Sequence, residues 1–154
     1  MSPQRDVDER WMRRAIELSY EGPPAEAAYS VGAVIIDAEG REIATGYSRE
    51  TDPKVHAEEC ALAKLPADDP RLKEATIYST LEPCSHRASR PQPCIQLILD
   101  AGIPRVVIAW REPSLFVENC VGVELLEQHG VHVVEMPEFA DEAKGANSHL
   151  DLSS

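Results

Sequence analysis

The chain has 154 residues, which suits one domain with its own core, and we expect a single domain over residues 1–154. Its 27 acidic residues outnumber its 15 basic ones, and the resulting net charge of -12 repels nucleic acid and anionic membrane surfaces. No apolar run approaches the ~18 residues of a membrane span, and the charged segment 1–14 lacks the apolar stretch of a signal peptide. We therefore expect a cytoplasmic protein, with reduced cysteines and with no nucleic-acid or membrane partner.

Hydrophobic periodicity and turn residues predict alternating helices and strands. In chain order these are a helix over 8–20, strands over 31–37 and 42–47, a helix over 56–65, a strand over 75–80, a helix over 94–101, a strand over 106–110, a helix over 121–129, a strand over 131–135 and a final helix within 137–150. The first two strands form a hairpin, whereas the later strands, joined by helices, should be parallel. The predicted fold is α/β: a three-layer α/β/α sandwich with a mixed five-stranded sheet.

Three potential metal ligands follow sheet elements. His56 opens the second predicted helix, Cys84 follows the third strand, and Cys94 opens the next helix. An open α/β sheet binds its ligands beyond the ends of its strands, so these side chains are expected to meet there. A catalytic zinc site uses three such ligands and leaves one position for water. The sequence therefore predicts one zinc ion on His56, Cys84 and Cys94.

Glu58 is the predicted catalytic residue. It lies two residues after His56, close enough to reach a water molecule at the open position without binding the metal. A carboxylate there can move protons during hydrolysis of an amine, and a His-x-Glu followed by Pro-Cys is the signature of zinc deaminases. Taken singly, a His-x-Glu is more often a helix cap and a cysteine pair more often belongs to the core. Their joint occurrence in this order favours a catalytic zinc site instead.

The spacing of the two cysteines departs from the usual Cys-x-x-Cys, because nine residues separate Cys84 from Cys94. Loop entropy grows slowly with length, so both thiolates can still bind one metal. The intervening hydroxyl, imidazole and guanidinium groups suit a phosphate or a hydroxyl-rich sugar chain. The candidate substrate contacts are Ser85, His86, Arg87, Ser89 and Arg90. Two alternatives stay open: the arginines as solvated charges, and His86 as a fourth metal ligand.

The remaining cysteines and histidines are assigned no chemistry. Cys60 and Cys120 are expected to be buried thiols. The other histidines lie far along the chain from the motif and are expected at the surface: His129, His132 and His149.

The stretch 80–85, Thr-Leu-Glu-Pro-Cys-Ser, with its long gap to Cys94, resembles the riboflavin-pathway pyrimidine deaminases of the cytidine/deoxycytidylate deaminase superfamily. Residues 46–50 before His56, and Glu112-Pro113 later, resemble the fungal-type branch. The resemblance implies a cytidine-deaminase-like fold, one zinc per subunit, a homodimer or higher oligomer, and release of ammonia. The implied substrate is a 2,5-diamino-6-(ribosyl- or ribitylamino)pyrimidinone 5'-phosphate, with Glu82 and residues 85–90 lining the substrate side.

Two departures from that family are visible. Bacterial members carry a reductase domain after the deaminase, and 154 residues leave no room for one. They also place an Asn that contacts substrate before the first strand, where this chain has Ala28-Tyr29-Ser30. Two other functions remain: a deaminase of the cytosine, cytidine or guanine type, and a binding module with a structural zinc.

Overall fold

The computed structural model describes residues 3–22, 29–52, 54–66, 68–83, 93–111 and 121–147. These contain helices α1 Pro3–Ser19, α2 Ala57–Ala63, α3 Cys94–Ala101, α4 Gly122–Gln128 and α5 Ala140–Gly145, strands β1 Gly32–Ile36, β2 Glu42–Tyr47, β3 Thr76–Leu81, β4 Arg105–Trp110 and β5 His132–Glu135, and short 3-10 helices Pro70–Glu74 and Pro137–Phe139. Across these ranges, no helix combines the length and apolar character needed to cross a bilayer.

The five strands form one mixed sheet in the order β2-β1-β3-β4-β5. Strand β1 is antiparallel to both β2 and β3, whereas β3, β4 and β5 run parallel. The predicted hairpin and the predicted parallel strands are therefore both confirmed. Because β1 is antiparallel to β3, the start of β1 lies at the same edge of the sheet as the ends of β3 and β4.

Two glycines show that α1 and α2 cover opposite faces of the sheet. A Cβ at Gly32 of β1 would lie 1.8 Å from the Ala15 carbonyl oxygen of α1, and one at Gly46 of β2 would lie 2.3 Å from the Ala57 carbonyl oxygen of α2. Gly46 pairs with Ala33, the neighbour of Gly32, and adjacent residues of a strand point to opposite faces. Helices α3 and α4 continue the α2 layer, and α5 packs beside α1. The predicted three-layer sandwich is confirmed.

The core is mostly aliphatic, and a buried polar cluster lies between α1 and the sheet. The Asp8 carboxylate on α1 accepts hydrogen bonds from Tyr78 of β3 at 2.6 Å and from Arg105 of β4 at 2.9 and 2.7 Å. Asp8 is 4% exposed and Tyr78 is 1% exposed, so water competes little for these bonds. The cluster ties the first helix to the two central parallel strands.

Several boundaries differ from the predicted ones. Helix α1 begins at Pro3 rather than residue 8, because its first turn is polar and exposed and carries no apolar repeat. The segment Pro70–Glu74, which the sequence left unassigned beyond a loop over 66–70, forms a 3-10 turn capped by the Asp69 carboxylate. The predicted tail helix is shorter, since α5 ends at Gly145.

Candidate metal and substrate site

The site lies at the edge of the sheet where β1 begins and β3 and β4 end. His56 is the N-cap residue of α2, and Cys94 is the first residue of α3 after Pro93. The His56 Nδ1 and Cys94 Sγ atoms are 3.3 Å apart although the residues are 38 positions apart in sequence. The fold thus brings two of the three predicted metal ligands into contact.

The separation of these two atoms fits a shared metal ion. Zinc bonds of about 2.0–2.1 Å to nitrogen and about 2.3 Å to sulfur, at a tetrahedral angle, leave the two ligand atoms about 3.5 Å apart. Cys94 is fully buried, and its sulfur is a thiol rather than half of a disulfide. Among the described residues no group of three His, Cys, Asp or Glu side chains forms a metal site, and the third predicted ligand, Cys84, lies outside them.

The two glutamates after His56 have different structural positions. Glu59 supports the helix start, because its Oε1 accepts a hydrogen bond from the His56 backbone N–H at 3.2 Å. Glu58 is 4% exposed, in the first turn of α2. The capping role that a His-x-Glu pattern often serves therefore falls to Glu59, and Glu58 is a buried carboxyl two residues from a candidate ligand.

Gly122 of α4 brings together the chain segments that carry the two cysteines. A Cβ at this glycine would lie 2.3 Å from the carbonyl oxygen of Pro83 and 3.4 Å from Cγ2 of Ile95. Pro83 directly precedes Cys84, and Ile95 directly follows Cys94. Only a residue without a side chain allows both segments to approach α4 this closely.

Glu82, a predicted substrate contact, is engaged with α4. It is 2% exposed, and its Oε2 accepts a hydrogen bond from the backbone N–H of Val123 at 2.9 Å. Its own backbone N–H donates to the Trp110 carbonyl at the end of β4. The Glu82 carboxylate therefore holds the segment that leads to Cys84 against α4. This role could not be predicted from the position of Glu82 beside Pro83 and Cys84 in the sequence.

An aromatic pair lies at the same edge. The rings of Tyr29 and Trp110 meet edge to face with centroids 5.7 Å apart, and the Lys144 ammonium lies 5.4 Å from the Trp110 ring centroid. The buried Trp110 Nε1–H has no hydrogen-bond partner within the described ranges. Buried donors are normally satisfied, so this N–H is a candidate donor to a bound polar group. Sequence patterning did not identify it, because Trp110 also fits the apolar run of β4.

The remaining sequence-predicted residues divide into two groups. The loop side chains proposed to contact substrate lie outside the described residues: Ser85, His86, Arg87, Ser89 and Arg90. Cys120 and His149 also lie outside them. Cys60 is buried, as predicted, and donates to Glu50 Oε1 at 3.4 Å, while His129 and His132 are exposed, as predicted.

A match to a known protein family identifies the general class to which this protein belongs. Residues 5–110 match the family model described as the cytidine and deoxycytidylate deaminase zinc-binding region. The chain belongs to this family. The family is defined by its zinc-binding region, which agrees with the donor chemistry of His56 and Cys94 and with the buried Glu58.

Two individual relatives show which deaminases of this family the chain is similar to. The chain is 40% identical over 136 residues to a diaminohydroxyphosphoribosylamino-pyrimidine deaminase of Schizosaccharomyces pombe, a match covering 87% of this chain and 33% of that protein. It is 37% identical over 134 residues to the riboflavin biosynthesis protein RibD of Aquifex aeolicus, covering 84% and 35%. The chain thus spans about a third of the length of these curated relatives.

A solved structure covers the same range. The Aspergillus oryzae Rib2 deaminase in complex with DARIPP, a C-terminal deletion mutant, superposes with a TM-score of 0.70 at 25% identity. That match covers 94% of this chain and 100% of the Rib2 chain. The resemblance to the riboflavin-pathway deaminases seen in the cysteine spacing is therefore confirmed.

Proposed function

We propose that this deaminase holds one zinc ion on His56, Cys84 and Cys94 and uses Glu58 to move protons. The observation that carries the proposal is the 3.3 Å contact between His56 Nδ1 and Cys94 Sγ, with a buried glutamate in the adjoining helical turn. Packing of both Pro83 and Ile95 on Gly122 supports Cys84 as the third ligand, because it draws the two cysteine-bearing segments together.

The reaction is hydrolysis of an exocyclic amine. With zinc bound to these residues, water would have its pKa lowered toward ~7, so that a nucleophile would be available at neutral pH. Glu58 takes one proton from the attacking water and delivers it to the ring nitrogen; it then takes the second proton from the new hydroxyl group and delivers it to the leaving amine, as the C–N bond breaks. Water and the amine are thereby converted into a ring carbonyl and ammonia. The burial of Glu58 keeps bulk water from competing for those protons.

We further propose a phosphorylated (ribosyl- or ribitylamino)pyrimidine of riboflavin biosynthesis as the substrate. The similarity to the Schizosaccharomyces pombe deaminase and to RibD supports this pathway, and the Rib2 complex with DARIPP supports a small-molecule ligand for this fold. The phosphate would be recognised by groups between the two cysteines, for which Arg87 and Arg90 are the strongest candidates on charge. Glu82, Ser85, His86 and Ser89 remain predicted contacts.

A substrate panel tests this assignment. Purified zinc-loaded protein would be assayed for ammonia release from the phosphorylated ribityl- and ribosylaminopyrimidines, from their dephosphorylated forms, and from cytidine and guanine. The proposal predicts turnover of a phosphorylated pyrimidine and a large loss of kcat/KM when the phosphate is absent. Efficient turnover of cytidine or guanine, with none of the aminopyrimidines, would overturn it.

The chemical role of Glu58 has a matched control in its neighbour. Glu58→Gln is expected to lower kcat by roughly two to four orders of magnitude at unchanged zinc content, because the proton carrier is lost. Glu59→Gln makes the same chemical change one residue later, and glutamine can still accept the bond from the His56 backbone N–H. It should retain activity. Equal activity of the two variants would refute the assignment of Glu58.

We also propose that the protein works in the cytoplasm as a homodimer or higher oligomer. The reducing cytoplasm suits a site that needs thiolates, and Cys60 and Cys94 are thiols rather than disulfides in the structure. The oligomer rests on the family resemblance and would be checked by sedimentation equilibrium of the zinc-loaded protein, where a monomer at micromolar concentration would contradict it.

A further inference from the structure

Arg49 has an unusual backbone conformation just before the candidate metal site. Its φ is +63°, and it is the single residue other than glycine with positive φ in the described part of the chain. The left-handed region is unfavourable for a side chain of this kind, because Cβ approaches the carbonyl oxygen. Such a conformation persists only when surrounding contacts hold it in place, so the contacts of Arg49 should explain it.

Those contacts join the start of β1 to the residue before His56. The Arg49 guanidinium donates to the Tyr29 carbonyl at 3.2 Å and to Ser30 Oγ at 2.8 Å. Its backbone N–H donates to the Val55 carbonyl at 2.9 Å. A single residue in left-handed geometry therefore bridges the edge of the sheet and the loop that ends at His56.

Ser30 is fixed from a second direction by the C-terminal segment. Asn147 Oδ1 accepts from the Ser30 backbone N–H at 2.6 Å, and Asn147 Nδ2 donates to the Ser30 carbonyl at 3.1 Å. Asn147 is 1% exposed and Ser30 is 3% exposed, so these bonds form away from water. The amide thus satisfies both backbone groups of Ser30, as a neighbouring strand would, and leaves Ser30 Oγ to accept from Arg49.

We propose that Arg49 is a positioning residue for His56 and that Asn147 supports it through Ser30. The inference rests on the proposed function in one respect, namely that His56 is a zinc ligand. The backbone N–H of Arg49 fixes the position of the Val55 carbonyl. The next residue, His56, must direct its Nδ1 toward Cys94. Asn147, 117 positions from Ser30 in sequence, makes the C-terminal segment part of the support of the metal centre.

Zinc affinity is the readout, because it reports ligand placement independently of turnover. Arg49→Gly can adopt the same backbone conformation without strain and keeps the backbone bond to Val55, but it removes the guanidinium bonds, so the loop that ends at His56 is no longer tied to the start of β1. We expect zinc affinity, measured by competition with a chromophoric chelator, to fall ~10- to 100-fold, the usual effect of losing a group that orients a ligand. Arg49→Lys keeps the charge but not the two-pronged geometry and should give an intermediate loss.

Lys64→Met is the matched control. Lys64 donates to Glu50 Oε2 at 2.7 Å and to the Thr45 carbonyl at 2.6 Å, so it lies near the same loop but bonds to groups outside the bridge. It changes net charge by the same amount as Arg49→Gly. Zinc affinity should remain within about twofold of the parent protein, within the spread expected of surface changes.

Asn147→Ala tests the support from the C-terminal segment. It should weaken zinc binding less than Arg49→Gly, and the double variant should lose less than the product of the two single effects, because both act through Ser30. Independent, multiplicative effects would overturn the role given to Asn147. Visible spectra of the Co²⁺-substituted variants, expected to shift relative to the parent, report the same change in ligand geometry.

Zinc binding by His56→Ala distinguishes a wrong role for Arg49 from a wrong metal site. If His56→Ala abolishes zinc binding while Arg49→Gly and Arg49→Lys bind zinc like the parent, the positioning role is wrong and the zinc site stands. If His56→Ala binds zinc normally, the proposed site itself fails. An Arg49→Gly protein with unchanged zinc affinity but a raised KM would also overturn the inference, since it would make Arg49 a substrate contact. Should Arg49→Gly not fold, the Arg49→Lys affinity decides alone.

Discussion

Replacing Gly122 by alanine should weaken zinc binding by moving the segment that carries Cys84. The added Cβ would start 2.3 Å from the Pro83 carbonyl oxygen, and contacts below 3.0 Å are essentially never seen, so the gap must open by about 0.7 Å. Constellations that bind or catalyse tolerate about 0.5 Å of displacement. We therefore expect zinc affinity to fall ~10-fold or more, in the range found when the support of a ligand is disturbed.

The stability of the Gly122→Ala variant follows from two opposing terms. Alanine gains at most the about 1 kcal/mol that separates it from glycine in a helix interior, since Gly122 is the first residue of α4, whereas overpacking against a backbone carbonyl costs about 1–3 kcal/mol. The expected net change is a loss of about 1 kcal/mol in the free energy of unfolding, measured by urea titration of the metal-free protein. A chelator competition on the same samples gives the zinc affinity.

Gly130, just beyond the other end of α4, supplies the control. It has φ of +84°, and a Cβ added there would meet nothing within 4 Å, so Gly130→Ala should cost about 1 kcal/mol through backbone strain alone. Both variants would then lose similar stability, and only Gly122→Ala would lose zinc affinity. The reasoning is refuted if Gly122→Ala gains about 1 kcal/mol and binds zinc like the parent.

Three further changes test other parts of the account. Burial alone would raise the pKa of Asp8, but hydrogen bonds from Arg105 and Tyr78 outweigh it and hold that pKa below its usual value. Asp8→Asn should therefore cost about 3 kcal/mol of unfolding free energy at pH 7. The difference from the parent should shrink as the pH falls below ~4, because Asp8 then protonates in the unfolded chain while the folded protein still holds the carboxylate, and it should vanish below the lowered folded-state pKa; a constant difference down to pH 2 would contradict this. Gly46→Ala, which forces a Cβ onto the backbone of α2, should lower the urea midpoint and kcat together, and unchanged values of both would show that α2 can shift freely. Cys60→Ala should lose about 1 kcal/mol in urea yet keep full zinc stoichiometry by atomic absorption, since Cys60 is a core thiol.

Elements with complete local signals could be predicted from the sequence with little error. Strand β2, Glu42–Tyr47, and helix α3, Cys94–Ala101, have the predicted bounds, because a turn precedes the strand and Gly102 closes the helix with φ of +79°. Helix α1 was predicted too short, because its N-terminal turn contributes polar, exposed residues that periodicity cannot detect. The parallel order of the later strands followed from their helical connections alone.

The residue types of the site could be predicted from the sequence, but the contacts that hold those residues in place could not. His56, Glu58 and Cys94 follow a known order of residue types, and His56 and Cys94 meet as that order requires. The pattern could not tell which of two adjacent glutamates caps α2, because this depends on where the helix begins: with His56 as N-cap, Glu59 is the third helical residue. The bond of Asn147 to Ser30 spans 117 positions and leaves no local signal. Long-range polar contacts of this kind need the fold before they can be seen.

The most direct test of the zinc centre is X-ray absorption spectroscopy of the purified zinc-loaded protein. The proposed ligands His56, Cys84 and Cys94 predict two sulfur atoms at about 2.3 Å and two lighter atoms at about 2.0–2.1 Å, one of them an imidazole nitrogen. His56→Ala, loaded in the same way, should retain no stoichiometric zinc. A spectrum with four sulfur ligands, with no sulfur, or with two imidazoles closing the coordination sphere would contradict the account.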